Sequence, residues 1–316
     1  MNICILDKSS MGEDTPFAPI YEFGNVEIYN STSPSEIAQR TEKAEVIITN
    51  KVKITDRVIS EAKNLKLICV FATGFDNIDL ISAKKHGVAV CNVPGYSTDS
   101  VALLTVSTVL ALYSHLKEYN EYVTSGKYTE SGVANRLVPV FHELRGKTWG
   151  IVGLGNIGKA VAKVAESFGM KVLVNKRTPI PEYECVDIDT LCRNSDIITL
   201  HCPLNEATKN LIDSNRLSIM KNNVVLVNEA RGAVVDEKGV ADAIKKGTIG
   251  AFGCDVYSAE PFSNEHPYTE IMNLPNVLLT PHAAWGAYEA RERCVNVIAK
   301  NIQSFIDKKV LNRVDI

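Results

Sequence analysis

From Thr148 to Phe168 an apolar run, Trp149-Gly150-Ile151-Val152, enters Gly153-Leu154-Gly155-Asn156-Ile157-Gly158, and an amphipathic segment closed by Gly169 leaves it. A strand, a glycine turn and a helix in that order begin a βαβ unit, which commits the region to a parallel sheet. Gly153 permits the tight turn, and Gly155 lets the backbone approach a pyrophosphate. Gly158 lets the helix pack close on the strand, while the helix N-terminus offers amide donors to the phosphates. G-x-G-x-x-G alone is a weak signal; its place between strand and helix makes it a dinucleotide site.

The same alternation runs through the rest of the chain. Short apolar runs at Asn2–Leu6, Glu45–Thr49, Lys66–Val70 and Val88–Cys91 read as buried strands. Ser35–Arg40, Thr55–Ala62 and Leu80–His86 read as the helices between them, with Ser or Thr as N-caps. After Pro94-Gly95-Tyr96 a helical pattern from Thr98 to Val123, apolar nearly all round, predicts one buried helix joining two domains. A second series has strands at Thr148–Val152, Lys171–Asn175, Asp196–Leu200, Asn223–Asn228, Ile249–Val256 and Asn276–Thr280. Ala290, Cys294, Ile298, Ile302 and Phe305/Ile306 mark a last amphipathic helix that returns to the first domain. For 316 residues, about 150 per domain gives two domains. The expected fold class is α/β, with two doubly wound parallel-sheet domains. Residues 1–98 plus 286–316 form one, and 99–285 form the dinucleotide-binding one.

Charge excludes several partners. Lys and Arg number 34 against 37 Asp and Glu, a net of −3, with no long run of one sign, so neither a nucleic-acid nor a membrane surface is expected. Val101 to Tyr113 is too short to span a bilayer and carries Thr105, Ser107 and Thr108. The eight cysteines form no CxxC pair and read as buried thiols of a reducing compartment, so a cytoplasmic protein is expected. Histidines 86, 115, 142, 201 and 266 show no metal spacing, and no metal site is expected.

Two groups of residues carry the chemistry. An NAD site of this type ends its second strand with an acid, which accepts bonds from the ribose. Here Val172-Leu173-Val174-Asn175 runs into Lys176-Arg177-Thr178, two cations and a hydroxyl suited to a 2′-phosphate. NADP(H) is therefore the expected preference, with NAD(H) as the second choice. The carboxyl ends of the other strands bring His201, Asn228/Arg231, Asp255 and His282, with Glu260 close behind. Hydride transfer to a 2-keto acid needs a cation for the carboxylate, a proton donor for the carbonyl and an anion beside that donor.

With these residues the chain resembles the D-isomer-specific 2-hydroxyacid dehydrogenases over nearly its whole length. The matching pieces are Ala72-Thr73-Gly74-Phe75-Asp76-Asn77-Ile78-Asp79, Asn92-Val93-Pro94-Gly95-Tyr96-Ser97-Thr98, the Gly153 loop and His201-Cys202-Pro203-Leu204. Asn228-Glu229-Ala230-Arg231-Gly232, Asp255-Val256-Tyr257-Ser258-Ala259-Glu260-Pro261 and Pro281-His282 complete the set. The resemblance implies a flavodoxin-like substrate domain and a Rossmann domain with a cleft between them, and a homodimer formed through the cofactor domains. It implies Arg231 as carboxylate clamp, His282 as proton donor, Glu260 as its partner, and Thr73 and Gly74 as further carboxylate contacts. The expected cofactor set is Gly153, Gly155, Asn156, Ile157, Gly158, Asn175, Lys176, Arg177, Thr178, Cys202, Pro203, Ala230 and Asp255, and the resemblance implies Asp255 on the nicotinamide carboxamide. Leu103 departs from the family, which has Glu or Gln there. Within the family, Trp285 three residues past His282 resembles the glycerate dehydrogenases, also called hydroxypyruvate reductases. The function so implied is reduction of a small 2-keto acid, hydroxypyruvate or glyoxylate, to D-glycerate or glycolate. A D-lactate type enzyme and a non-catalytic dinucleotide-sensing module are the alternatives.

Overall fold

The computed structural model describes residues 1–316 and divides into two compact units, Met1–Ser97 with Gly286–Ile316, and Thr98–Trp285. The first unit runs β1 (Asn2–Ile5), α1 (Ala18–Tyr21), β2 (Asn25–Ile28), α2 (Ile37–Thr41), β3 (Val46–Thr49), α3 (Asp56–Glu61), β4 (Leu67–Val70), α4 (Leu80–Lys85) and β5 (Ala89–Cys91). Its strands form one parallel sheet in the order β2-β1-β3-β4-β5. β3 and β4 are buried at every position, as a sheet covered on both faces requires. The order reverses between β1 and β3, and there the Asp7 carboxylate accepts the backbone N–H groups of Asn50 and Lys51 at 2.9 and 2.6 Å.

In the second unit α5 (Thr98–Tyr113), α6 (Leu116–Thr124) and α7 (Lys127–Ser131) precede β6 (Thr148–Val152), α8 (Asn156–Ser167), β7 (Lys171–Asn175) and β8 (Glu184–Cys185). There follow α9 (Ile188–Asn194), β9 (Ile197–Leu200), α10 (Ser214–Ile219), β10 (Val225–Asn228), α11 (Glu237–Lys246), β11 (Ala251–Cys254) and β12 (Val277–Leu279). Seven parallel strands take the order β12-β11-β10-β9-β6-β7-β8. The direction of winding reverses between β6 and β9, the switch point where such sheets hold ligands. Trp149 is wholly buried in this core and donates its indole N–H to Thr199 Oγ1 at 3.1 Å. In the first unit, α12 (Tyr288–Ile306) buries Ala290, Cys294, Ile298 and Ile302.

Several expectations need correction. The helix expected from Thr98 to Val123 is two helices bent by 64°, because His115 sits in the left-handed region with φ +53°. α5 is buried along one side, but α6 buries no residue at all. No single helix is long and apolar enough to cross a membrane. β2 and β8, strands of four and two residues, lack an apolar run and were not expected. The helix caps are carried by aspartates where Ser and Thr were expected. Asp79, Asp187, Asp213 and Asp236 each accept a backbone N–H of the first turn, whereas Thr55 makes no such bond. Ile306 at the end of α12 is exposed, so the apolar stripe stops one turn early. All eight cysteines are free thiols, and Cys185 is only half-buried.

Candidate functional site

The loop after β6 is shaped by its glycines. Gly153 has φ +90°, and a Cβ there would lie 2.7 Å from Cys202 N. The turn after β6 is thus pressed against the turn after β9, and no side chain fits at 153. A Cβ on Gly158 would come within 2.2 Å of Gly153 O, so the third glycine lets α8 close on that same turn. Gly155 differs: a Cβ there would meet nothing within 4 Å. Its backbone faces open space, and α8 begins with no side-chain cap on its first-turn amides. A bare, uncapped helix start beside an open backbone fits the pyrophosphate of a dinucleotide. Asn156 and Ile157 supply the N–H groups of that turn.

Beside the loop, both His201 ring nitrogens are buried without a partner, and burial pushes the imidazole down to about 3, so it is neutral. Burial likewise pushes the Cys202 thiol up to about 11, which rules it out as a thiolate at neutral pH. Pro203 is exposed and Ala230 is buried. At the end of β7, Asn175 donates its side-chain amide to Val186 O at 2.9 Å, so this donor is already used inside the unit. Lys176 is half-buried, Arg177 and Thr178 are exposed, and neither cation forms an ion pair.

β10, β11 and β12 are neighbours, so Arg231, Glu260 and His282 leave three adjacent strand ends. Arg231 is half-buried, forms no ion pair, and donates Nη1 only to Ala230 O at 2.8 Å. The rest of its guanidinium fork has no protein acceptor. Gly232 holds the next loop directly against it, since a Cβ there would lie 2.0 Å from Tyr257 C. Glu260 Oε2 meets His282 Nδ1 at 2.6 Å, and Glu260 Oε1 accepts Tyr257 N–H at 3.1 Å. Nδ1 committed to a carboxylate leaves Nε2 for a substrate. His282 also has φ +54°, a strained conformation for a non-glycine residue that costs about 1–3 kcal/mol.

Asp255 supplies what holds that strain. Its Oδ1 accepts Thr280 Oγ1–H at 2.5 Å and Ala283 N–H at 2.8 Å, and its Oδ2 accepts Ala284 N–H at 2.8 Å. The sequence reading gave Asp255 only to the cofactor and missed this clamp, for which its place one strand from Pro281-His282 was the sole signal. Glu229 was missed too: both its carboxylate oxygens are buried without a partner. In the first unit, Thr73 is exposed, donates Oγ1–H to Val93 O at 2.8 Å and has its carbonyl held by Asn92 Nδ2. Trp285 is half-buried at the end of the second unit.

Comparison with known proteins follows the same lines. Residues 106–284 match the model of the D-isomer specific 2-hydroxyacid dehydrogenase, NAD binding domain. The chain is 35% identical to the glycerate dehydrogenase of Methylorubrum extorquens, over 99% of this chain and 98% of that protein. It is 38% identical to the glyoxylate reductase of Thermococcus litoralis, over 90% and 88%. Among solved structures, the D-lactate dehydrogenase from Aquifex aeolicus, complexed with NAD and lactic acid, superposes with a TM-score of 0.85 at 31% identity, covering 98% and 96%. A family match over more than half the chain and relatives along its full length agree with the switch-point loop and the paired imidazole: the chain belongs to the D-isomer specific 2-hydroxyacid dehydrogenases, nicotinamide-dinucleotide-dependent oxidoreductases of 2-hydroxy acids.

Proposed function

We propose that the chain reduces hydroxypyruvate or glyoxylate, giving D-glycerate or glycolate, with NADPH as the favoured coenzyme. The observation that carries this reading is the His282–Glu260 pair at 2.6 Å beside a half-buried Arg231 with no acidic partner. Arg231 binds the substrate carboxylate through its open fork and polarises the neighbouring carbonyl. The coenzyme, when bound, supplies the hydride. His282 delivers a proton from Nε2 to the carbonyl oxygen, and Glu260 on Nδ1 fixes the ring in place. Asp255, besides holding the His282 loop, is taken as the contact for the nicotinamide carboxamide, and Thr73 and Gly74 as further carboxylate contacts. Similarity to a glycerate dehydrogenase and a glyoxylate reductase supports the substrate class, and Trp285 narrows it to the hydroxypyruvate side.

The coenzyme preference rests on the end of β7, where Lys176 and Arg177 stand without carboxylate partners and no acid offers itself to a ribose. Each charge-assisted bond to a 2′-phosphate is worth roughly 1.5–3 kcal/mol, reduced by exposure. The test is kcat/KM for hydroxypyruvate, glyoxylate and pyruvate with both reduced coenzymes, in the parent and in Lys176→Asp/Arg177→Ala. The parent should favour NADPH about 10-fold or more, and the double variant should reverse the order. Equal use of NADH by the parent would remove the coenzyme assignment. Pyruvate as the best substrate would move the chain to the D-lactate type.

The same reading extends to assembly as a homodimer through the second unit. That unit exposes Leu116 and Val123 on α6 and Leu137, Val140 and Phe141 between α7 and β6, each more than half accessible. A surface of this kind on one segment marks an interaction site.

A further inference from the structure

Glu237 opens α11 directly after its cap Asp236, and its side chain is 11% exposed. A carboxylate so far removed from water needs donors. Its Oε1 accepts Ser258 N–H at 2.9 Å, and its Oε2 accepts Ser258 Oγ–H at 2.5 Å and faces His266 Nε2 at 3.1 Å. His266 is 8% exposed, and its Nδ1 accepts Tyr268 N–H at 3.2 Å, which leaves Nε2 as the ring donor toward Glu237. The imidazole packs against the rings of Phe262 and Tyr268, each with its centroid 4.8 Å away. Neither residue touches the candidate catalytic atoms. What they hold is the turn that carries one of them.

Ser258 lies two residues before Glu260, and Tyr257 N–H in the same turn bonds Glu260 Oε1. The turn from Ser258 to Glu260 is itself exposed and has little core of its own. It is pinned on one side by the backbone of Gly232 and on the other by Glu237. We propose that Glu237 and His266 are positioning residues for keto-acid reduction: they fix the Tyr257–Glu260 turn so that Glu260 holds His282 in the orientation that delivers its proton. This rests on the reading of His282 as proton donor.

Three variants test it. His266→Phe keeps an aromatic ring in the Phe262–Tyr268 stack but loses both hydrogen bonds. It should lower kcat about 10- to 100-fold, the scale expected for a misplaced catalytic group. The Michaelis constant and the dinucleotide Kd should stay within about 2-fold of the parent, since neither residue is placed at either ligand. His266→Gln returns an N–H donor toward Glu237 and should recover most of the lost kcat. Glu237→Gln sets an amide N–H₂ or a single acceptor against two or three donors and should behave like His266→Phe. It also serves as the second reading should His266→Phe not fold. The independent readout is the low-field proton resonance of His282 Nδ1–H, identified by its disappearance in His282→Gln. In His266→Phe and Glu237→Gln it should shift or broaden, and in His266→Gln it should return. An unchanged kcat and an unchanged resonance in both disrupting variants would overturn the proposal, as would His266→Gln failing as badly as His266→Phe. Should the parent reduce no 2-keto acid, the functional reading falls, and the resonance alone then decides whether the clamp orients His282.

Discussion

Glu229 follows β10 directly, and burial, together with the nearby Asp255 charge, pushes its carboxyl up to about 9. In the folded protein it is therefore neutral at pH 7, while in the unfolded chain it ionises near its ordinary value of 4.5. Unfolding releases a proton, so this residue's contribution to stability falls as pH rises from about 4.5 toward about 9. At pH 7 the loss is about 3 kcal/mol relative to the acid limit. Glu229→Gln removes it and should raise the melting temperature clearly at pH 8 and hardly at pH 5. Equal shifts at the two pH values would contradict the assignment. Asp255 stabilises through its hydrogen bonds. Its three inward hydrogen bonds hold the strained His282 backbone, and an Asn in its place sets an N–H₂ against backbone N–H groups. Asp255→Asn should cost about 3 kcal/mol on thermal or denaturant unfolding and lower kcat as well. A variant as stable as the parent would mean that the loop is held by other contacts.

At the scale of elements, what was legible is what local patterning decides. Strands β6 and β7 lie at the residues expected from their apolar runs, because covered strand positions, Trp149 to Val152 and Leu173 to Val174, must be apolar. The glycine turn was legible for a related reason: Gly153 and Gly158 sit where a single Cβ would collide with backbone. The bend between α5 and α6 was not, since no Gly or Pro marks a break at Ser114 and His115, and one left-handed residue makes it. Edge strands β2 and β8 escaped because half-exposed strands carry no apolar run. At the site, strand-end position gave a larger polar set, and the family resemblance picked Arg231, Glu260 and His282 out of it and its neighbourhood. The Asp255 clamp and the buried Glu229 could not, because both depend on which loops meet in space. Gly232 belongs to the same class: a Cβ there would strike the Tyr257–Ser258 backbone, a clash that only the packing of two loops reveals. Gly232→Ala should therefore push the Glu260 turn away from Arg231 and lower kcat/KM by about 100-fold, measurable in steady-state kinetics.

For the whole molecule, the proposed dimer would form through the exposed apolar residues of α6 and of the segment between α7 and β6. Leu137→Asp/Phe141→Asp should convert a dimer to monomer in sedimentation velocity, and a parent that sediments as monomer would contradict the assembly reading. The central assignment is His282 as the proton donor of a dinucleotide-dependent keto-acid reductase. Its most direct test follows the near-ultraviolet absorbance of the reduced nicotinamide with hydroxypyruvate, in the parent and in His282→Ala, with the dinucleotide Kd measured in both. The parent should turn over, and the variant should lose about 100- to 10,000-fold in kcat while binding the dinucleotide as the parent does. A parent that binds the dinucleotide yet reduces no small 2-keto acid, or a variant that keeps near-parent turnover, would contradict it.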